Sequence, residues 1–440
     1  MKKVASFALG CKVNQVESEA IAEAFASRGY EVVDVDEAAD VYVINTCTVT
    51  NVGDKKSRQM IRKVRRQNPQ AIVVAVGCYA QTAPEEMKAM AEVDILLGTK
   101  GRGEIVDAVE QYQRGQGVLD LVTGIRQEHT FEPISVSGMH ERTRAYLKIQ
   151  DGCSQFCSYC IIPYARGPVR SRPEDEVVAE VRRLAENGFQ EVVLTGIHVA
   201  SYGKDLKNTS LLQVLEKIHP IEGIHRIRFS SIEPNVVTEA FLEGLSRLPK
   251  VCHHFHLSLQ SGAARTLKEM NRKYTPAKYA EAVAMLRSLW PDVAVTTDMI
   301  VGFPGETKED FAQSEAFARQ MGFAKIHVFP YSPKRGTPAA ARPDQVAPEE
   351  KNRRAKILGK TAHQLQQAFL ARFLGQEMEV LVERQGSDGL WQGHTSNYIA
   401  VEFAAEGNLK NALVMAKLTR LEGEKVWAEV TQGPKEENTF

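Results

Sequence analysis

Along the first 125 residues, short apolar runs rich in β-formers alternate with longer polar segments whose apolar positions recur at helical spacing. KKVASFALGC, DVYVINTC and AIVVAVGC are predicted strands, and KVNQVESEAIAEAFASRG after the first is a predicted amphipathic helix ending at glycine. The alternation predicts an open, Rossmann-like α/β unit in which each of these strands ends in a cysteine: Cys11, Cys47 and Cys78. Open α/β sheets bind ligands in the crevice beyond the carboxyl ends of their strands, so the three thiols are expected to converge there. Each lies in a Gly-Cys or Thr-Cys turn, where backbone can approach an inorganic group closely. A plain buried thiol is the alternative for any one of them. Three in the same structural position favour a three-thiolate metal site.

Residues 125–142, IRQEHTFEPISVSGMHER, lack periodicity and read as a linker. Beyond it EVVLTGIHV, IHRIRFSSIEP, HHFHLSLQSG, VAVTTDMIVGFPGET and AKIHVFPYS are strand candidates, separated by helical segments such as EDEVVAEVRRLAENG and TPAKYAEAVAMLRSLW. Repeated βα units over about 230 residues predict a parallel barrel, complete or partial, with its site at the carboxyl ends of the strands. In HHFHLSLQ, strand parity puts His254, His256, Ser258 and Gln260 on one face and Phe255, Leu257 and Leu259 on the other. A barrel built only for stability fills its interior with branched apolar side chains, so a polar row facing inward implies a polar ligand. From about residue 373 the pattern changes to MEVLVER, GLWQGHTSNYIAVEF and KVWAEVT with Gly-rich turns, a small all-β barrel. The expected organisation is three units, at residues 1–125, 140–370 and 373–435.

Composition narrows the functional classes. A chain of 440 residues exceeds what one core organises, and 43% apolar content is ample for several. Lys plus Arg equals Asp plus Glu at 55 each, so nucleic-acid contacts must come from local patches. Seven cysteines, an odd number at scattered spacing, argue against a disulfide framework and for reduced thiols in the cytoplasm. The start MKKVASFALGC imitates a signal sequence, but its apolar run is at the lower limit of length and leads directly into the predicted helix. No apolar stretch approaches membrane-spanning length, so no membrane partner is expected.

The stretch DGCSQFCSYC places Cys153, Cys157 and Cys160 together. A four-iron cube held by three of its corners leaves one iron free to chelate a small molecule. Zinc would need a fourth Cys or His, and none follows Cys160 at ligand spacing. CxxxCxxC with an aromatic residue, Tyr159, before the last cysteine resembles the signature of radical S-adenosylmethionine enzymes. Gly196, Glu233, Thr296 and Asp298 at strand ends, with His256, Ser258 and Gln260 on the polar row, are then candidates for holding that cofactor's ribose, amine or carboxylate. For each alone, an ordinary capping or loop role is the alternative. Cys252, His253 and His254 are read as packing residues.

With both cysteine trios and the C-terminal β-barrel, the whole chain resembles the methylthiotransferase family, radical enzymes with a second cluster and a nucleic-acid-binding TRAM domain. LGCKVNQVESEA, DGCSQFCSYCIIPYARGPVRSR, LTGIHVASYGKD, HLSLQSG and MNRKYT look most like its MtaB-type branch. The resemblance implies two [4Fe-4S] clusters: an auxiliary one on Cys11, Cys47 and Cys78 that supplies or carries the sulfur, and one on Cys153, Cys157 and Cys160 that cleaves S-adenosylmethionine to a 5′-deoxyadenosyl radical. It further implies a 2-methylthio group placed on threonylcarbamoyladenosine beside the tRNA anticodon, and an electron donor as partner. Sibling branches act on isopentenyladenosine or on a ribosomal-protein aspartate. The rival of another class is a non-catalytic, RNA-binding iron-sulfur redox sensor, which needs no polar barrel face. For tRNA phosphates the candidates are Arg62, Lys63, Arg65 and Arg66 in the basic segment DKKSRQMIRKVRRQ, with Met60, Ile61 and Val64 on its buried side, and Arg166, Arg170 and Arg172 past the second trio. Tyr398 is a candidate stacking platform, an interior aromatic being the alternative.

Overall fold

A computed structural model describes residues 1–133 and 143–433. Positions 134–142 of the expected linker, and the last two residues of the expected C-terminal unit, lie outside the described residues.

The N-terminal sheet contains β1 (Lys3–Ala8), β2 (Glu31–Val32), β3 (Val41–Thr46), β4 (Ile72–Gly77), β5 (Ile95–Leu97) and β6 (Leu119–Asp120). All are parallel, in the order β2-β1-β3-β4-β5-β6. The chain goes to one side of β1 and then crosses to the other, so the topological switch point lies between β1 and β3, where such sheets bind ligands. Alternate residues of the central strands feed two apolar layers: Tyr42, Ile44 and Ala75 pack on one face, Val41, Val43, Val74 and Val76 on the other. Helices α1 (Lys12–Ser27), α2 (Asn51–Gln67) and α3 (Cys78–Thr82) begin just beyond β1, β3 and β4.

The middle unit contains β7 (Arg144–Asp151), β8 (Arg170–Ser171), β9 (Glu191–Gly196), β10 (Arg226–Phe229), β11 (His254–His256), β12 (Ala294–Val301) and β13 (Lys325–Pro330). Two sheets, β10-β9-β7-β8 and β11-β12-β13, are joined by single bridges, Ile227 to Val251 and Ile232 to Leu257. Apart from the short antiparallel β8, every ladder is parallel. The barrel is therefore partial, and among the described residues no strand pairs with the far edge of β13. Phe255, Leu257 and Leu259 are fully buried while His256, Ser258 and Gln260 are not, as the parity of that run requires; His254, expected on the same open row, is instead buried against Tyr398 of the C-terminal barrel.

The helix Pro348–Ala371 leads to β14 (Glu377–Gln385), β15 (Trp391–Thr395), β16 (Ala400–Phe403), β17 (Leu413–Glu422) and β18 (Lys425–Gln432), a closed barrel in the order β14-β15-β16-β18-β17. It seals the amino ends of the parallel strands. Arg226 donates to the carbonyls of His394 and Glu379, both at 2.8 Å, and Arg228 to that of Ser396 at 3.0 Å. This docking corrects the reading of Tyr398. Its ring is stacked between His254 and His394, with centroids 4.6 Å away on both sides, so neither face is free for a base. Among the described residues no helix is long and apolar enough to cross a membrane.

Candidate functional site

Cys11 caps α1, Cys47 follows β3 and Cys78 opens α3, so the strand ends deliver all three to one crevice. The approach is close: a Cβ added at Gly10, whose φ is +97°, would sit 2.6 Å from the Cys47 sulfur. Only glycine leaves that space and tolerates that backbone. Asn14 fixes the two neighbouring loops, its amide donating to the carbonyls of Leu9 at 2.7 Å and Thr46 at 3.2 Å. Cys11 is exposed, whereas Cys47 and Cys78 are buried. Burial pushes the Cys47 thiol up to about 11.

The third side of this crevice belongs to the middle unit. Arg166, fully buried, donates from Nε to the Cys78 sulfur at 3.1 Å and from Nη2 to Asn14 Oδ1 at 2.7 Å and Glu17 Oε2 at 2.9 Å. Around it Glu17 also meets Arg102 and Lys148, while Asp151 meets Lys148 and Arg170 and Arg102 reaches Glu132. Burial would raise the carboxyls of Glu17 and Asp151, but the cations around them hold both well below the ordinary range. Among the described residues the group has four cations (Arg102, Lys148, Arg166, Arg170) and three carboxylates (Glu17, Glu132, Asp151), leaving one positive charge in excess beside Cys78. An uncompensated buried charge is costly, so this surroundings suits anionic thiolates carrying an iron-sulfur group. Arg166, Arg170 and Arg172 are thereby corrected as RNA contacts: all three are buried, the last paired with Glu176 and Glu180.

The second trio is held by a local loop. Gly152 has φ +72°, and a Cβ there would lie 1.8 Å from the Pro168 carbonyl oxygen. The Cys153 amide donates to the Gly167 carbonyl, that of Ser158 to Met270 and that of Cys160 to Cys157, each at 3.0 Å. Arg272 donates from Nη1 to the Cys157 sulfur at 3.1 Å and from Nη2 to Glu233 at 2.7 Å. Burial would raise Glu233, but His198 at 3.3 Å and Arg272 bring its carboxyl below the ordinary value. Burial pushes Cys153 up to about 11 and Cys160 up to about 12. Tyr159 packs among Met270, Phe303 and Tyr331, and burial raises its phenol. All seven cysteines are free, so both trios are available as ligands.

Of the other candidates, Glu233 alone has a described link to a cysteine trio, through Arg272. His256 donates or accepts at Thr296 Oγ1 through Nδ1 (3.0 Å) and faces Asp298 through Nε2 (3.3 Å), so these three form a separate group. Gly196 is explained by close packing, since a Cβ would lie 2.8 Å from Gln150 Oε1. Gln260 has φ +73° and bridges to β12, its amide donating to the Asp298 carbonyl at 2.9 Å. Ser258 is half-buried on the same row. Asn14, Arg272, His198 and His327 were not singled out from sequence, although Asn14 lies inside LGCKVNQVESEA, His198 inside LTGIHVASYGKD and Arg272 inside MNRKYT; His327 carried no such signal.

In α2, Ile61 and Val64 are buried and Met60 half-buried, leaving Arg62, Lys63 and Arg66 exposed. Arg65 is corrected as a phosphate contact: it is tied to Asp94 and to the carbonyls of Ala71 (2.8 Å) and Glu92 (3.0 Å).

A CxxxCxxC loop at the carboxyl mouth of a parallel partial barrel defines a radical S-adenosylmethionine protein, and the Radical SAM superfamily matches residues 147–318. Uncharacterized protein family UPF0004 matches residues 3–98 and the TRAM domain residues 371–433. The chain is 42% identical over 425 residues to threonylcarbamoyladenosine tRNA methylthiotransferase MtaB of Bacillus subtilis (strain 168), covering 96% of this chain and 94% of that one. It is 36% identical to tRNA-2-methylthio-N(6)-dimethylallyladenosine synthase of Pelotomaculum thermopropionicum, covering 95% of each. The radical S-adenosylmethionine methyltransferase TsrM from Kitasatospora setae shares the fold, with TM-score 0.57 at 16% identity over 77% of each chain. The chain belongs to the radical S-adenosylmethionine methylthiotransferase family and is of its MtaB type. As a member it is an enzyme that transfers a methylthio group and uses S-adenosylmethionine with a four-iron cluster.

Proposed function

We propose that this protein methylthiolates carbon 2 of N6-threonylcarbamoyladenosine at position 37 of tRNA. In this reading Cys153, Cys157 and Cys160 would hold the cluster that binds S-adenosylmethionine, and Cys11, Cys47 and Cys78 would hold a second four-iron cluster that supplies or carries the sulfur. The observation that carries it is one dipeptide: Arg166 donates to the Cys78 sulfur while the next residue, Gly167, accepts from the Cys153 amide. The two trios thus share one rigid support, as transfer between them requires. Carbon 2 of adenine is unactivated, and bound S-adenosylmethionine with its cluster supplies the radical chemistry that replaces its hydrogen. The chain's own residues bind and orient. Arg272 and Glu233 brace Cys157, Asn14 and Arg166 brace the first crevice, and Asp54 with Lys334 and Asn51 with Pro333 close the units beside Cys47. The exposed cations of α2 face tRNA phosphates.

The division into units at 1–125, 140–370 and 373–435, a cytoplasmic site of action and an external electron donor belong to the same proposal. Mass spectrometry of tRNA nucleosides tests it. A deletion strain should lack 2-methylthio-threonylcarbamoyladenosine, retain its precursor, and recover the product with the wild-type gene. Loss of the dimethylallyl counterpart instead would move the substrate.

A further inference from the structure

We propose that His256, Asp298 and His327 form the subsite that receives the polar N6 substituent of the substrate adenosine and selects it over an apolar one. This inference rests on the tRNA substrate proposed above. The ladders fix one wall of the open barrel: His256 pairs with Thr296, Thr296 with Lys325, Asp298 with His327, and Ile300 with Phe329. Paired residues of parallel strands point to the same face. The opposite face carries Phe255, Val295, Met299 and Ile326, all buried, so the first set looks into the opening. Lys325, His327 and Phe329 are exposed there.

The wall has two levels. Ile300 packs in the cluster with Tyr159 of the radical loop, and Phe329 beside it is 46% exposed, a free apolar shelf near the reacting centre. Two residues toward the strand starts, about 7 Å lower, the ligand atoms of His256, Asp298 and His327 all lie within 4.8 Å of one another. Thr296 holds the His256 ring, which turns its Nε2 to Asp298. Among the described residues no hydrogen bond engages the His327 ring, and Lys325 on the same face has only a loose partner, Glu424 at 3.8 Å. A purine on the shelf would send its N6 substituent down to this group. The threonylcarbamoyl group brings a carboxylate for the N–H of His327 and the ammonium of Lys325, and a hydroxyl that donates to Asp298. A dimethylallyl group would leave all of these unpaired, which is how hydrogen-bonding sites reject apolar analogues.

The test uses the full-length, cluster-loaded enzyme with tRNA bearing either substituent, comparing wild type with His327→Leu and His327→Asn. His327→Leu should lower kcat/KM on the threonylcarbamoyl substrate by roughly 10–100-fold, mainly through KM, narrow its preference over dimethylallyl tRNA, and be partly rescued by His327→Asn. An unchanged KM and preference would overturn the subsite. So would deoxyadenosine formation without tRNA falling in step, which assigns the group to the cofactor, or an equivalent of zinc beyond the cluster iron that vanishes in His327→Leu. A wild type inactive on threonylcarbamoyl tRNA overturns the proposed function itself and is told apart by needing no variant.

Discussion

The two cysteine trios are built by opposite means. Cys153, Cys157 and Cys160 come together because they are neighbours in one tight loop, whereas Cys11, Cys47 and Cys78 meet because three strands end side by side. Yet each ends on the same device, an arginine whose side chain is covered, donating to one sulfur at 3.1 Å and anchored behind by a glutamate: Arg272 with Glu233, Arg166 with Glu17. The difference lies in ownership. Arg272 belongs to the unit it serves, while Arg166 crosses from the middle unit into the N-terminal one. A locally encoded site depends on its own loop, and a site encoded by topology depends on docking as well.

The strongest way to break this comparison is to empty the sites separately. Replacing Cys153, Cys157 and Cys160 by Ala should abolish deoxyadenosine formation and halve the iron from about eight to about four per chain. Cys47→Ala should keep deoxyadenosine and lose the methylthio nucleoside, both measured in one reaction. Normal yields of both products would remove Cys47 from the chemistry.

Next come the arginines. Arg166→Gln removes one partner from a buried ionic group and should cost about 3–5 kcal/mol in the docking of the N-terminal unit, read by denaturant unfolding. Arg166→Lys keeps the charge but not the planar fork, and should recover only part of it. Arg272→Gln should leave that docking intact and disturb the second trio alone. If the two glutamine variants gave the same unfolding profile, the asymmetry between the sites would be gone.

A smaller effect is expected on the outer surface of α2. Changing Arg62, Lys63 and Arg66 to Ser should weaken tRNA binding and lower the slope of log affinity against log salt by about 2. Arg65, held by Asp94, is the internal control and should not alter the slope. A slope equal to wild type in the triple variant would leave that face merely solvated.

A further prediction, read in acid, concerns Glu191 beneath the barrel, which burial would raise but Arg228 and Arg226 bring down to about 2 from 4.5. Its contribution to holding the C-terminal barrel through those arginines is fully present above pH 4.5 and is lost as pH falls toward 2. Acid unfolding of Glu191→Gln should show a shallower loss over that window than wild type.

The same contrast explains what was legible in the sequence. The second trio could be read from spacing alone, and the first from the recurrence of cysteine at predicted strand ends. The apolar strands β1, β3, β4, β9 and β12 stood out by composition. β7 did not, because RAYLKIQD carries Arg144, Lys148 and Gln150; Lys148 is buried and Arg144 half-buried, each supported by a partner distant in the chain, Glu17 and Glu383. For the same reason ARGPVRSR looked like a basic surface: sequence shows charge, and only the fold shows that Glu17, Asp151 and Glu180 neutralise it. Tyr398 misled similarly, since its ring is covered by histidines from two units.

The reach of Arg166 also sets an order of manufacture. It lies 88 residues after Cys78, so a ribosome that has finished the first crevice still needs roughly 4–18 s to supply its last wall. During that interval the nascent N-terminal unit has its cysteines but lacks the cation beside them. On the proposed reading of the first trio as a cluster site, its iron loading belongs after translation of β7 and the loop beyond it, and a chain cut between the units should take up iron there poorly.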